Sequence, residues 1–206
     1  TTVLQCAREA GVKRVVLSST SSIYGNNPWP NHEAQPPDCL NPYSVSKLSA
    51  EDICRMYTKF YGLETVALRY FNVFGERAPS KGQYALVLGI FMRQLLEGES
   101  LTIVGDGSQR RDFVHVDDVV SSNILAATAD IETEYLTMPY NIGSGKNISI
   151  KELADMISKN QTYLEPRLGE IHTTLANISA AESVLKWHPT IDVSEWLRGK
   201  LDEFTK

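Results

Sequence analysis

Tyr43 and Lys47 stand four residues apart at the front of the segment "NPYSVSKLSAEDICRMYTKFYG", residues 41 to 62. In a helix, residues i and i+4 share a face, so this phenol and this ammonium can point into one pocket. Such a pair is the smallest unit of a proton-transfer site. A free phenol has a pKa near 10, so it is only about a thousandth ionised at neutral pH, and freeing it as a base costs ~4 kcal/mol. One cation at about 4 Å supplies energy of that order at an effective dielectric near 20. A second cluster, "SSTSSIYG" (18 to 25), ends an apolar run with hydroxyls and then turns at Gly25. In an open parallel sheet the carboxyl ends of strands are where ligands bind. The Pro-rich loop from 26 to 42 joins the two clusters and leaves them free to converge.

Elements must hold these residues. Val3, Leu4 and Ala7 share one face of an opening helix, Gly11 breaks it, and "RVVLSS" reads as a buried strand. Pro42 suits the first turn of the Tyr43 helix, with Asn41 as its cap. A second strand is expected at 63–71, a helix from about Asp117 to Ala129, and a third strand at 139–144. Strands alternating with helices of this length predict a parallel sheet in an α/β fold. The remainder predicts a helix near 84–97, a short strand pair from "LTIV" and "RDFVHV", a helix near 150–159, and two more helices toward the end.

Composition excludes several classes. With 206 residues, 42% apolar and 22% charged, the chain can bury one sizeable core or two small ones. Its net charge of −5 argues against a nucleic-acid or membrane-surface partner. Three cysteines, Cys6, Cys39 and Cys54, lack C-x-x-C spacing and the four histidines are scattered, so neither a disulfide framework nor a metal site is expected. A cytoplasmic location fits that usage. The run "ALVLGIFM" (85 to 92) falls well short of the ~20 residues that span a bilayer.

The ordered set "SSTSSIYG", "NPYSVSK", "LRYFNVFG", "GDGSQRRDFVHVDD", "YNIGSG" and "RLGE" resembles the extended short-chain dehydrogenase/reductases of the NAD-dependent epimerase/dehydratase family. Among them it is most similar to the UDP-glucose and UDP-N-acetylglucosamine 4-epimerases, over residues 1 to about 198. The resemblance implies the C-terminal half of a Rossmann-type parallel sheet plus a small α+β substrate-binding domain. The first would comprise 1–75 and 115–143 and carry NAD; the second, 76–114 and 144–206, would carry the UDP-sugar. One departure stands out: the glycine-rich fingerprint of the first βα unit is absent, and "GDGSQR" does not replace it, because it lies far downstream and joins no strand to a helix. The expectation is an N-terminally truncated chain that is inactive alone.

By resemblance, Tyr43 is the base at the sugar 4-hydroxyl, Lys47 binds the nicotinamide ribose and lowers the phenol pKa, and Thr20 hydrogen-bonds the 4-oxygen. Ser18, Ser19 and Tyr70 are assigned beside the cofactor. The related 4,6-dehydratases carry acidic residues straight after the threonine; here Ser21 and Ser22 follow, which cannot serve as acid or base for elimination at neutral pH. Epimerisation at C4 through a 4-keto intermediate remains. Asn72, Arg111 and Arg167 match positions that contact diphosphate or sugar, Glu170 one that accepts from the ribose hydroxyls, and Thr174 a position whose small side chain admits N-acetylated sugars. The helix before residue 13 and the Tyr43 helix match the family's homodimer interface. Two other readings stay open: another nucleotide-sugar oxidoreductase, such as a 4-keto reductase or dehydratase, and a non-catalytic sugar-nucleotide-binding remnant.

Overall fold

The computed structural model describes residues 1–82, 85–166 and 171–204. Helix α1 (Thr2–Glu9) leads into β1 (Arg14–Thr20) and a 3₁₀ turn (Ser21–Tyr24). The long loop then delivers the chain to α2 (Pro42–Tyr61), β2 (Glu64–Tyr70) and β3 (Asn72–Phe74). Next come α3 (Val87–Glu97), β4 (Leu101–Val104), β5 (Arg110–Arg111), β6 (Phe113–His115), α4 (Val116–Thr128) and β7 (Pro139–Ile142). The chain closes with β8 (Ile148–Ser149), α5 (Ile150–Ile157), β9 (Gln161–Leu164), a short π-helical turn (Ala181–Leu185) and α6 (Val193–Phe204).

The central sheet is parallel, in the order β1-β2-β7, with Arg14 opposite Glu64, Thr20 opposite Tyr70, and Tyr70 opposite Ile142. A parallel neighbour requires a crossover, and α2 supplies it between β1 and β2. The fold is α/β with a Rossmann-like parallel sheet, as the alternation of strands and helices predicts. Helix α2 starts where expected. Pro42 occupies its first turn, and the Asn41 side chain accepts from the Ser44 amide at 2.9 Å in a reciprocal capping box.

Two expectations about the second half are corrected. "LTIV" does not pair with "RDFVHV": β4 pairs with β9, while 110–115 divides into β5, antiparallel to β8, and β6, parallel to β3. The division falls at Asp112, whose buried carboxylate accepts from the amides of Ser144, Gly145 and Ala176 and the Ser144 hydroxyl. A residue turned inward to four donors cannot also continue an even ladder. The two helices expected toward the end reduce, among the described residues, to α6 and one π-helical turn; Lys186 ends that turn at φ 56°, a left-handed conformation that stops a helix.

Beside two smaller clusters around Leu4, Cys54, Tyr57 and Leu63 and around Tyr24, Phe71 and Ala176, two large apolar cores form among the described residues. One packs β2, β6, α4 and β7 with Leu185 and Trp187, whose indole donates to Asp118 O at 2.9 Å. The other packs α3, β4, α5 and α6 through Phe91, Leu101, Ile103, Leu153 and Leu197. The loop at 26–41 folds back on Gly25, where φ is +52° and a Cβ would sit 1.9 Å from Asp38 O. Only glycine lets that loop close against the end of β1.

Candidate active site

The carboxyl end of β1 carries the hydroxyl cluster. Alternation along a strand puts Ser18 and Thr20 on one face and Ser19 on the other. Ser18 is exposed, and its hydroxyl lies 3.2 Å from the Tyr70 hydroxyl, which donates to Asn123 Oδ1 of α4 at 2.9 Å. Thr20 is buried; its Oγ1 accepts from the Ser22 amide and donates to the Ser22 hydroxyl, both at 3.2 Å, which caps the 3₁₀ turn. Ser19 faces inward and donates to Glu51 of α2.

Helix α2 brings Tyr43 and Lys47 to the same place. Lys47 Nζ donates to Ser18 O at 2.8 Å and lies 5.7 Å from the centroid of the Tyr43 ring. Tyr43 is 50% exposed, and its hydroxyl has no hydrogen-bond partner among the described residues. The structure thus gathers Ser18, Tyr43, Lys47 and Tyr70 around one strand end, with Thr20 two residues beyond Ser18.

Beneath this surface lies a buried polar network. Glu51 follows Lys47 by four residues and Tyr43 by eight, on the same helical stripe, yet it is 3% exposed. Its carboxylate takes two hydrogen bonds from Arg69 of β2, at 3.0 and 2.7 Å. Arg69 also donates to the Tyr24 hydroxyl at 3.0 Å, and Tyr24 donates to Asn141 Oδ1 at 2.7 Å. Asn141 closes the network through Asn31 O, Asn177 O and the Glu33 carboxylate. Burial pushes the Tyr24 phenol up to about 12, outweighing the pull of Arg69, whose charge Glu51 already neutralises. Burial likewise raises the Glu33 carboxyl against the Asn141 amide that stabilises its anion. Sequence reasoning missed this network, although the i, i+4, i+8 stripe Tyr43-Lys47-Glu51 was a signal that could have found it.

The second group of expected residues meets elsewhere. Asn72 and Arg111 line a cavity of about 240 Å³, together with Leu86, Val87, Val104 and Phe113. The N-terminus of α3 forms part of its wall and has no side-chain cap among the described residues. Asn72 Nδ2 donates to Asp112 O at 2.9 Å and to Thr174 Oγ1 at 3.3 Å. Thr174 is buried, and its hydroxyl also accepts the Asp112 amide at 3.1 Å. Arg111 Nη1 donates to Arg110 O and His172 O, at 3.0 and 3.1 Å. Arg111 also lines a neighbouring cavity of about 470 Å³ with Arg110 and Lys146. Arg167 and Glu170 lie outside the described residues. No cluster of three or more potential metal ligands occurs among the described residues, and no helix there is long and apolar enough to cross a membrane.

A family model described as "NAD dependent epimerase/dehydratase family" matches residues 1–143. The chain belongs to that family. Its structure is similar to that of the UDP-N-acetylglucosamine 4-epimerase from Methanobrevibacter ruminantium in complex with UDP-N-acetylmuramic acid: 35% identity, TM-score 0.90, covering 99% of this chain and 66% of that one. It is also similar to the UDP-glucuronic acid 4-epimerase from Bacillus cereus in complex with UDP-glucuronic acid and NAD, at 32% identity and TM-score 0.85, covering 97% and 64%. The UDP-glucose 4-epimerase of Mycolicibacterium smegmatis is 33% identical over 208 residues, 97% of this chain and 65% of that protein. The epimerase/dehydratase chain described here therefore spans 64%, 60% and 65% of the length of three curated relatives it matches.

Proposed function

We propose that the protein to which this chain belongs is a cytoplasmic, NAD-dependent epimerase acting at C4 of a UDP-hexose, with residues 1–75 and 115–143 on the cofactor side and 76–114 and 144–206 on the sugar-nucleotide side. The observation that carries this reading is the setting of Tyr43 and Lys47. The ammonium is anchored on Ser18 O at 2.8 Å while the neighbouring phenol is uncommitted among the described residues.

The residues present fit the nicotinamide end of the cofactor. Lys47 uses one donor on Ser18 O, which leaves two for ribose hydroxyls, and the exposed Ser18 and Tyr43 flank it. NAD, when bound, supplies the hydride acceptor and donor for C4 and is regenerated in each turnover. Tyr43 takes the proton of the sugar 4-hydroxyl as the ketone forms and returns it when the hydride comes back to the other face. Lys47 stabilises the phenolate by charge. Thr20 is assigned to the 4-oxygen, which it reaches by turning its hydroxyl away from Ser22, and Ser19 acts from behind by tying the strand to Glu51. Tyr70, held by Asn123, walls the cofactor side.

Asn72, Arg111 and the start of α3, uncapped among the described residues, suit the diphosphate, because guanidinium forks and helix N-terminal N–H groups both favour phosphate oxygens. Arg167 and Glu170 are assigned to the phosphate and the ribose. Thr174, a small residue under Asn72, favours acceptance of N-acetylated UDP-hexoses alongside UDP-glucose and UDP-galactose. A homodimer through α1 and α2 is favoured by the exposed Val3, Val45, Phe60 and Tyr61 on those helices. The test is Tyr43→Phe in the full-length protein. Turnover of UDP-glucose and UDP-N-acetylglucosamine should fall by about 10²–10⁴-fold, the usual worth of a general base, with UDP-sugar affinity unchanged. Turnover within a few-fold of the parent would overturn the assignment.

A further inference from the structure

Three polar side chains at the carboxyl end of the central sheet form a hydrogen-bonded row that can run in only one direction. Thr20 stands opposite Tyr70 across the ladder, so Ser18, two residues earlier, presents its side chain to the same face as the Tyr70 ring. Helix α4 packs against β1 and β2 and carries Asn123. Asn123 Nδ2 donates to Val119 O at 2.7 Å, and its Oδ1 accepts from the Tyr70 hydroxyl at 2.9 Å. The amide cannot be reversed, because a flip would set its oxygen 2.7 Å from the Val119 carbonyl oxygen. A phenol has one proton, and here it is spent on Asn123. The bond between the Ser18 and Tyr70 hydroxyls, 3.2 Å apart, can then run only from the serine. Locked at Val119, the direction passes through Asn123 and Tyr70 to Ser18.

Ser18 is exposed, and with its proton turned toward Tyr70 it offers only lone pairs to whatever binds against it. Its carbonyl is already taken by Lys47 Nζ at 2.8 Å, so the hydroxyl is the part of the residue left for a ligand. A partner must therefore bring a donor. A nicotinamide ring has one, the N–H₂ of its carboxamide. We propose that Asn123 is a positioning residue that, through Tyr70, holds Ser18 Oγ as an acceptor for the carboxamide N–H of nicotinamide and so sets which way round that group lies. This rests on the NAD-dependent reading above and deepens it, since that reading leaves the orientation of the carboxamide unexplained. Turned the other way, the carboxamide would bring its carbonyl against the serine lone pairs. Asn123 touches neither cofactor nor sugar in this assignment; it acts by leaving Tyr70 no proton to give.

The test is calorimetric titration of the full-length protein, stripped of any bound dinucleotide, with NAD and with 3-acetylpyridine adenine dinucleotide, whose methyl ketone keeps the carbonyl and lacks the N–H₂. The parent should bind NAD about tenfold more tightly, the worth of one hydrogen bond. In Asn123→Leu the Tyr70 proton is released, Ser18 is free to donate outward, and the preference should collapse toward parity. Asn123→Asp keeps an acceptor for Tyr70 and should retain it. A merely structural role would lower both affinities together and leave their ratio unchanged. Should the leucine variant not fold, as judged by its thermal transition, Tyr70→Phe frees the serine in the same way and should also lose the preference. Equal affinities in the parent would overturn the proposal while leaving the NAD-dependent reading intact. So would an undiminished preference in Asn123→Leu or, where that variant does not fold, in Tyr70→Phe. Failure of the parent to bind NAD at all would overturn the NAD-dependent reading itself and this assignment with it.

Discussion

Replacing Glu51 by glutamine tests how the strand end beneath Tyr43 and Lys47 is held. Glu51→Gln keeps the shape of the side chain and one carbonyl acceptor, but it strips the compensating charge from Arg69. The side chains of that pair are only 2% and 6% exposed, so water cannot replace the lost carboxylate. Removing one partner of a buried, hydrogen-bonded ion pair costs about 3–5 kcal/mol. For a chain of this length each kcal/mol moves the thermal midpoint by about 2–4 °C, so Tm should fall by roughly 6–20 °C. Differential scanning calorimetry at neutral pH reads the shift directly. A companion variant, Glu51→Leu with Arg69→Met, removes both charges and should recover more than half of the loss, because an apolar pair of similar volume often matches a buried salt bridge. A drop of less than about 2 °C for Glu51→Gln would refute the reasoning. A double variant no better than the single would move the cause from charge to packing.

Tyr24 gives a pH signature. Its phenol is pushed up to about 12 when folded, against about 10 when unfolded, so its stabilisation is fully present below pH 10 and is lost as pH rises through 12. Tyr24→Phe should cost about 1–3 kcal/mol at neutral pH, because Arg69 and Asn141 lose a partner. It should also flatten the alkaline decline in urea midpoint between pH 10 and 12; an unchanged slope would count against the cause assigned. Two glycines predict opposite signs in thermal melts. Gly143→Ala would place a Cβ 2.6 Å from Ala176 Cβ and 3.0 Å from Asp112 Oδ2, and should destabilise by about 1–3 kcal/mol. Gly199→Ala, in α6 with nothing within 4 Å, should stabilise by about 0.5–1 kcal/mol.

What the sequence made legible was what periodicity encodes. The β1-α2-β2 unit, the Asn41 cap and the placing of Tyr43 and Lys47 on one face all follow from local spacing. Strand β9 was illegible because "QTYL" is short and mostly exposed, without the apolar alternation that marks a half-buried strand. The division of "RDFVHV" depends on donors 32 to 64 residues away, at Ser144 and Ala176, which no window along the chain can register. The Glu51–Arg69 network hid for another reason. A glutamate in the middle of a helix reads as solvated surface unless its partner on a different strand is known.

Arg111 and Asp112 face opposite ways along one extended stretch: the arginine lines the cavities, and the aspartate is buried against its four donors. Because alternation has a period of two, inserting or deleting a single residue just upstream would exchange them. The carboxylate would then meet the cavities, and the guanidinium would be driven into a pocket of N–H and O–H donors. Both errors arise from one event, so this segment cannot drift in length as a surface loop does. Its residue count is as much a part of the site as its side chains.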